Sequence, residues 1–250
     1  MRHFILFCAV TVLCGCSNDE GPVEPRTAST EYTTPKDPGP PATAYSFDFT
    51  GYGETLEPGY SKTFSDGSWN KYVGMETVGG KTYKVVDADN GSRYYYTLTS
   101  GQYAGYRPPN DATVMFDAPE AQLPAGWNLK ATVVSSVSFT YQGYSVSAKK
   151  SYTLIDTLRT VTVLGSFSPV AHFMLRLDLT ASSGDASTTL EDVWVARGPG
   201  GIKFQIAGKT AAEFSYGYVN GTSWGTQPGV HKGIGRPFAA AGALLQGGFR

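Results

Sequence analysis

Leu129-Lys130-Ala131-Thr132-Val133-Val134-Ser135-Ser136-Val137-Ser138-Phe139-Thr140-Tyr141-Gln142-Gly143-Tyr144-Ser145-Val146-Ser147-Ala148-Lys149-Lys150-Ser151-Tyr152-Thr153-Leu154 is the stretch from which the fold can be read. Up to Gln142 the apolar residues Leu129, Ala131, Val133, Val137, Phe139 and Tyr141 hold odd positions. Asn128, Lys130, Thr132, Ser136, Ser138, Thr140 and Gln142 lie between them. A period of two belongs to a strand with one buried face. After Gln142-Gly143 the apolar set moves to the even positions Tyr144, Val146, Ala148, Tyr152 and Leu154. A two-residue turn there sets Tyr141 opposite Tyr144, Phe139 opposite Val146, Val137 opposite Ala148, Val133 opposite Tyr152 and Ala131 opposite Leu154. All these pairs fall on one side, and a slip of one residue would turn each of them to water.

The same alternation extends outward. Phe173, Leu175, Leu177 and Leu179 alternate with His172, Met174, Arg176 and Asp178; Ile202, Phe204 and Ile206 alternate with Gly201, Lys203 and Gln205. Turn residues stand at Gly79-Gly80, Asn90-Gly91 and Ser183-Gly184, where adjacent strands would be hairpin partners. The expected fold class is all-β, an antiparallel sheet of about a dozen strands. A curled half-barrel and a two-sheet sandwich bury such faces equally well, and periodicity leaves both open.

Composition agrees with a turn-rich body. The 250 residues include 30 glycines and 15 prolines, and 41% are hydrophobic, enough to bury a core. Lys plus Arg number 20 against 21 Asp plus Glu, so the formal charge of −1 lacks the basic excess of a non-specific nucleic-acid binder, and no nucleic acid is expected as a partner.

Arg2 and His3 precede an apolar run, Phe4 to Leu13, which suits the hydrophobic region of a signal peptide and is too short to span a bilayer. It ends in Leu13-Cys14-Gly15-Cys16, which resembles the lipobox of bacterial lipoproteins. The resemblance implies cleavage before Cys16 and lipid attachment to its thiol. Cys8 and Cys14 would leave with the signal, so no thiol is left for disulfide or thiolate chemistry. Ser17 stands where lipoproteins retained in the inner membrane commonly have Asp, and Asn18, Asp19 and Glu20 look like an acidic surface-export tag. The expected location is therefore the outer membrane, lipid-anchored, on its periplasmic or cell-surface face. The expected organisation is a signal over 1–15, a lipidated Cys16 with a tether to 44, a β-rich domain over 45–220, and a loose Gly/Ala-rich tail over 221–250. Pro22, Pro25, Pro35, Pro38, Pro40 and Pro41 mark the tether, which spans roughly 30 Å as a coil and about 85 Å as polyproline II. A short helix is expected around Ala239 to Leu245.

The search for chemistry yields no catalytic set, cofactor or metal site. Gly221-Thr222-Ser223-Trp224-Gly225 fits the pattern of a nucleophile elbow, but no acid follows Glu213 and no helix-forming run comes after the Ser. Of the three histidines only His172 and His231 lie beyond the signal, too few for a His-rich zinc site. Asp87-Ala88-Asp89-Asn90-Gly91 resembles a calcium loop but has Gly one place early and Leu98 in place of the closing Glu, so a hairpin turn is expected. Glu191 and Asp192, adjacent on a strand, point to opposite faces and cannot act as paired glycosidase carboxylates. What remains is the tyrosine cluster. Tyr94, Tyr96, Tyr103 and Tyr106 are the candidate ligand-binding residues if exposed, since tyrosine rings can stack on sugars or fill a partner's pocket; as ordinary β-formers they would simply cover the sheet.

Trp194-Val195-Ala196-Arg197-Gly198-Pro199-Gly200-Gly201-Ile202-Lys203 resembles a W-x-A-x-G-x-G-x-[IV]-K hairpin that recurs in uncharacterised β-rich bacterial lipoproteins, and Thr160-Val161-Thr162-Val163-Leu164-Gly165-Ser166-Phe167 is similar to their T-V-T-V-x-x-G-x-F strand and turn, with Leu164 where proline is usual. The resemblance implies an envelope protein and carries over no catalytic residue. Its glycines would let the chain cross between strands at positive φ, with Trp194 capping the core and Lys203 facing water. The expected function is a membrane-anchored envelope lipoprotein with a non-catalytic domain that binds a ligand or partner, a glycan, a lipid or an envelope protein. The alternatives are a carrier of hydrophobic ligand in a curled sheet and a glycan-active hydrolase.

Overall fold

The computed structural model describes residues 46–121, 124–206, 209 and 211–226. The segments expected to be signal and tether, the expected lipid-bearing Cys16 and the expected helix at Ala239–Leu245 lie outside the described residues. Within them the chain forms fifteen strands and no helix: β1 (Ser46–Asp48), β2 (Ser61–Phe64), β3 (Trp69–Val78), β4 (Lys81–Ala88), β5 (Arg93–Thr97), β6 (Tyr103–Arg107), β7 (Val114–Met115), β8 (Gly126–Asn128), β9 (Thr132–Tyr141), β10 (Tyr144–Thr162), β11 (Gly165–Ala181), β12 (Ala186–Ala196), β13 (Gly200–Ile206), β14 (Ala212–Val219) and β15 (Thr222–Trp224).

The β9–β10 hairpin has the register the alternation requires. Tyr141 faces Tyr144, Phe139 faces Val146, Val137 faces Ala148 and Val133 faces Tyr152. The turn has φ of 48° at Gln142 and 84° at Gly143, and positive φ at both central residues matches the right-handed twist of the strands. Leu129 departs from expectation. It lies in the turn ahead of β9 and is 48% exposed, because the ladder of β9 with β10 begins only at Thr132.

Twelve strands follow the order β7-β6-β5-β4-β3-β2-β14-β13-β12-β11-β10-β9, every pair antiparallel, with β15 paired to β14. The path is two meanders joined where β2 meets β14. Alternation gives each strand an inner and an outer face, and the sheet curls to enclose the inner one. The free ends, β7 and β9, approach through the segment after β7: the Asp117 amide donates to the Ser138 carbonyl (2.8 Å), and the Phe116 and Phe139 rings lie 5.6 Å apart. The sheet is thus a curled, nearly closed barrel, not two packed layers.

The enclosed space is filled from the N-terminal side. Phe47, Phe49 and Tyr52, carried by β1 and the turn after it, pack edge to face with one another, while Phe49 also meets Trp127 (5.9 Å) and Phe173 (5.4 Å). With Tyr60, Phe64, Tyr96, Tyr152, Leu154, Phe204 and Phe214 they form the main core. Such rings dominate core energetics through the large apolar area that each buries.

Two details differ from the sequence reading. Asn220 (φ 51°) and Gly221 (φ 75°) make a tight turn that returns β15 along β14, so Thr222–Trp224 belongs to the sheet, and the rest of the segment expected to be a tail, from 227 on, lies outside the described residues. Ile202 does not join Phe204 in the main core. A bulge opposite Trp194 and Val195 shifts the β13 register, and Ile202 packs with Val170 and Ala196 in a separate cluster covered by Phe167 and Trp194.

Candidate functional site

The four candidate tyrosines are not a surface platform. Tyr94, Tyr96 and Tyr103 are buried and Tyr106 is half-buried. β5 and β6 turn their inner faces to the enclosed space, so Tyr94, Tyr96 and Tyr103 join the core, with Tyr103 5.6 Å from Tyr96 and 4.9 Å from Phe116. Tyr106 packs on Phe139 (6.2 Å). Tyr95 points the opposite way, as alternation requires, but is covered as well, beside Tyr83 and donating to Glu76 Oε1 at 3.1 Å. Burial pushes the hydroxyls of Tyr94, Tyr96 and Tyr103 above their ordinary range, so they stay neutral.

These rings surround charges that the sequence reading did not single out. Lys150 Nζ donates to Glu120 Oε2 (2.7 Å), the Tyr152 hydroxyl donates to Glu120 Oε1 (2.7 Å), and the ammonium stands 4.8 Å from the centre of the Tyr103 ring. A second group repeats the chemistry: Lys62 Nζ donates to Glu54 Oε1 (2.8 Å) and the Tyr60 hydroxyl to Glu54 Oε2 (2.7 Å). In each, Lys and Tyr sit two residues apart near one strand, hence on one face, and the Glu comes from a connecting segment. Burial lowers the Lys62 pKa while the Glu54 charge opposes the fall. All three Lys62 protons have acceptors, since the ammonium also donates to the Pro199 and Gly201 carbonyls.

The glycine-rich resemblance stretch finds its physical role here. The Gly201 amide donates to Glu54 Oε1 (2.8 Å), and a Cβ on Gly200, at φ 70°, would come within 2.3 Å of the Glu54 side chain. The loop is shaped to close over the Lys62–Glu54 pair.

Two interior groups stand apart. Neither polar atom of the Asn70 side chain has a hydrogen-bond partner among the described residues, and Glu191 Oε1 lacks one too. Burial pushes Glu191 up to about 8, with the Asp192 charge adding and Lys150 opposing, so it is a neutral acid near pH 7.

The outer face corrects the reading of Trp194. It does not cap the main core but covers the small Val170, Ala196 and Ile202 cluster; it lies opposite in parity to the buried Val193 and Val195, between His172 on β11 and Lys203 on β13. Its ring stacks on His172 at 4.5 Å and 4°, with Lys203 Nζ 5.3 Å from its centre. Lys203 is half-buried, not freely solvated, and pairs with Glu213 at 3.3 Å. His172 Nε2 lies 2.9 Å from Asp192 Oδ1 and Nδ1 lies 3.4 Å from Asp156 Oδ1. Asp156, His172, Trp194, Lys203 and Glu213 sit directly across successive ladders, with Asp192 diagonal to His172, so the row reads as cross-strand stabilisation.

The remaining motifs resolve locally. Ser223 of Gly221-Thr222-Ser223-Trp224-Gly225 is exposed on β15 just after a tight turn, without the strand-to-helix geometry of an elbow. Asp87 to Gly91 closes the β4–β5 hairpin, with Asp87 bound to Arg93. Glu191 faces inward and the adjacent Asp192 outward. Among the described residues no three His, Cys, Asp or Glu side chains converge as a metal site. Comparison with protein-family models, curated proteins and solved structures returns no match.

Proposed function

We propose that the chain is an envelope lipoprotein, held in the outer membrane through lipid on Cys16, whose β body is a non-catalytic module that binds a ligand or partner. The observation that supports this reading most is the state of the interior. Two Lys–Glu pairs are tied off by tyrosine hydroxyls, and aromatic rings fill the space between. Recognition then belongs to the outer face. A carrier of hydrophobic ligand would need Phe47, Phe49 and Tyr52 to leave the core. The anchor rests on Leu13-Cys14-Gly15-Cys16 directly after an apolar run. Several acyl chains on one residue hold far more firmly than one.

Metabolic labelling with palmitate tests the anchor. The full chain takes up label and sediments with membranes, whereas Cys16→Ala stays unlabelled and moves to the soluble fraction; an unlabelled full chain ends the anchor reading. Turnover of any substrate in a hydrolase and glycosidase panel ends the non-catalytic reading.

A further inference from the structure

Across β3, β2 and β14 the outward residues fall into two rows. Trp69, Thr63 and Tyr216 lie directly opposite one another, and Lys71, Ser61 and Tyr218 form the next row. Adjacent strands stand about 4.8 Å apart, so Trp69 and the tyrosine pair are separated by roughly 10 Å. Between these aromatic residues β2 carries the small hydroxyl side chains of Ser61 and Thr63, and the Tyr218 ring lies beside Gly59 just before that strand. Trp69 is 38% exposed, Lys71 is exposed, and the other four are half-buried.

Two observations set this face apart. Tyr216 and Tyr218 share the parity of the buried Phe214, and a regular strand would send both inward. The register shift between Phe214 and Tyr216 turns them outward, opposite Thr63 and Ser61, while Gly217 takes the inward place beside Lys62. Bulges that re-aim side chains are common next to functional sites. The polar ends are also free. Among the described residues the Trp69 indole N–H, the Ser61 and Thr63 hydroxyls and both phenols make no hydrogen bond, and Lys71 makes no ion pair. Asp87, across the ladder from Lys71, is engaged by Arg93 at 2.6 and 2.9 Å.

We propose that this trough binds an acidic oligosaccharide, with Trp69 and Tyr216 flanking a pyranose ring, Ser61, Thr63 and the phenols meeting its hydroxyls, and Lys71 its anionic group. A pyranose presents apolar C–H faces and a rim of hydroxyls. Aromatic walls about two strand spacings apart leave room for one ring between them, and the unengaged cation favours an acidic sugar over a neutral one. The proposal rests on the reading of the body as a binding module and is independent of the lipid anchor.

Calorimetric titration of the full chain with tetragalacturonate and with cellotetraose tests it. Tetragalacturonate binds saturably and at least fivefold more tightly than cellotetraose. Trp69→Ala and Tyr216→Ala each weaken it at least tenfold with unchanged thermal midpoints, Trp69→Phe restores most of the affinity, and Lys71→Met brings the two probes within a factor of two. Failure of both probes to bind, a preference for cellotetraose, or undiminished binding by Trp69→Ala overturns the proposal. Cleavage of the bound probe would remove the non-catalytic reading of the body and leave the trough standing, and an unlabelled Cys16 would leave both standing.

Discussion

Glu191 is held neutral by its surroundings, and its effect on stability has a definite sign. Its folded pKa, about 8, lies above the ordinary 4.5, so the folded state retains a proton that the unfolded chain releases. The stabilisation is complete below pH 4.5 and is lost as pH rises towards 8, by a few kcal/mol. Glu191→Gln therefore raises the urea midpoint at pH 8 and flattens the fall of stability between pH 5 and 8; an unchanged profile refutes the assignment. Lys150 behaves differently, because removing it leaves Glu120 charged and buried. Lys150→Met costs about 3–5 kcal/mol, and the double variant with Glu120→Gln recovers part of the loss, both read from urea unfolding. This pair left one trace in the sequence. Ser135 and Lys150 interrupt the apolar alternation of two neighbouring strands at positions that face each other, so a polar pair on an inner face was legible there. Glu54 and Glu120 were not, since connecting segments have no period from which a direction could be read.

At the scale of the strand, parity carried most of the information and bulges removed it. The β9–β10 hairpin kept its register because its turn residues and its alternation agree. Phe139→Ala, which opens a hole between Tyr106 and Phe116, costs about 3–4 kcal/mol in urea unfolding. Where one strand gains a residue over its partner, as at Phe214/Tyr216 and at Trp194/Val195, every later side chain changes face. Ile202, Tyr216 and Tyr218 were illegible for that reason. Trp194 was read as a cap on the core by residue type; only the pairing with His172 shows that it covers the smaller cluster and not the main one. The Gly198–Gly201 loop shows the reverse, a motif visible in sequence whose purpose needed contacts. Gly200→Ala, which adds a Cβ at positive φ against Glu54, costs about 1–3 kcal/mol and lowers the thermal midpoint.

For the whole molecule, curled sheet and sandwich share one alternation, and only the order of pairing separates them. That order includes one junction between distant parts of the chain, β2 with β14, where Ser61 faces Tyr218. The wings on either side, β3 to β7 and β9 to β13, are built of sequential hairpins that can zip as they are made. The junction joins residues near 60 to residues near 218, and such long-range closure is slow. Until β14 is available, β2 and β13 each present a bare edge, a template for pairing with another chain. A product stopped before Ala212 should therefore aggregate instead of remaining as a shortened monomer. The curl therefore joins up only when β14, the fourteenth of the fifteen strands among the described residues, has been made, so assembly of the body follows synthesis of nearly all of the described chain.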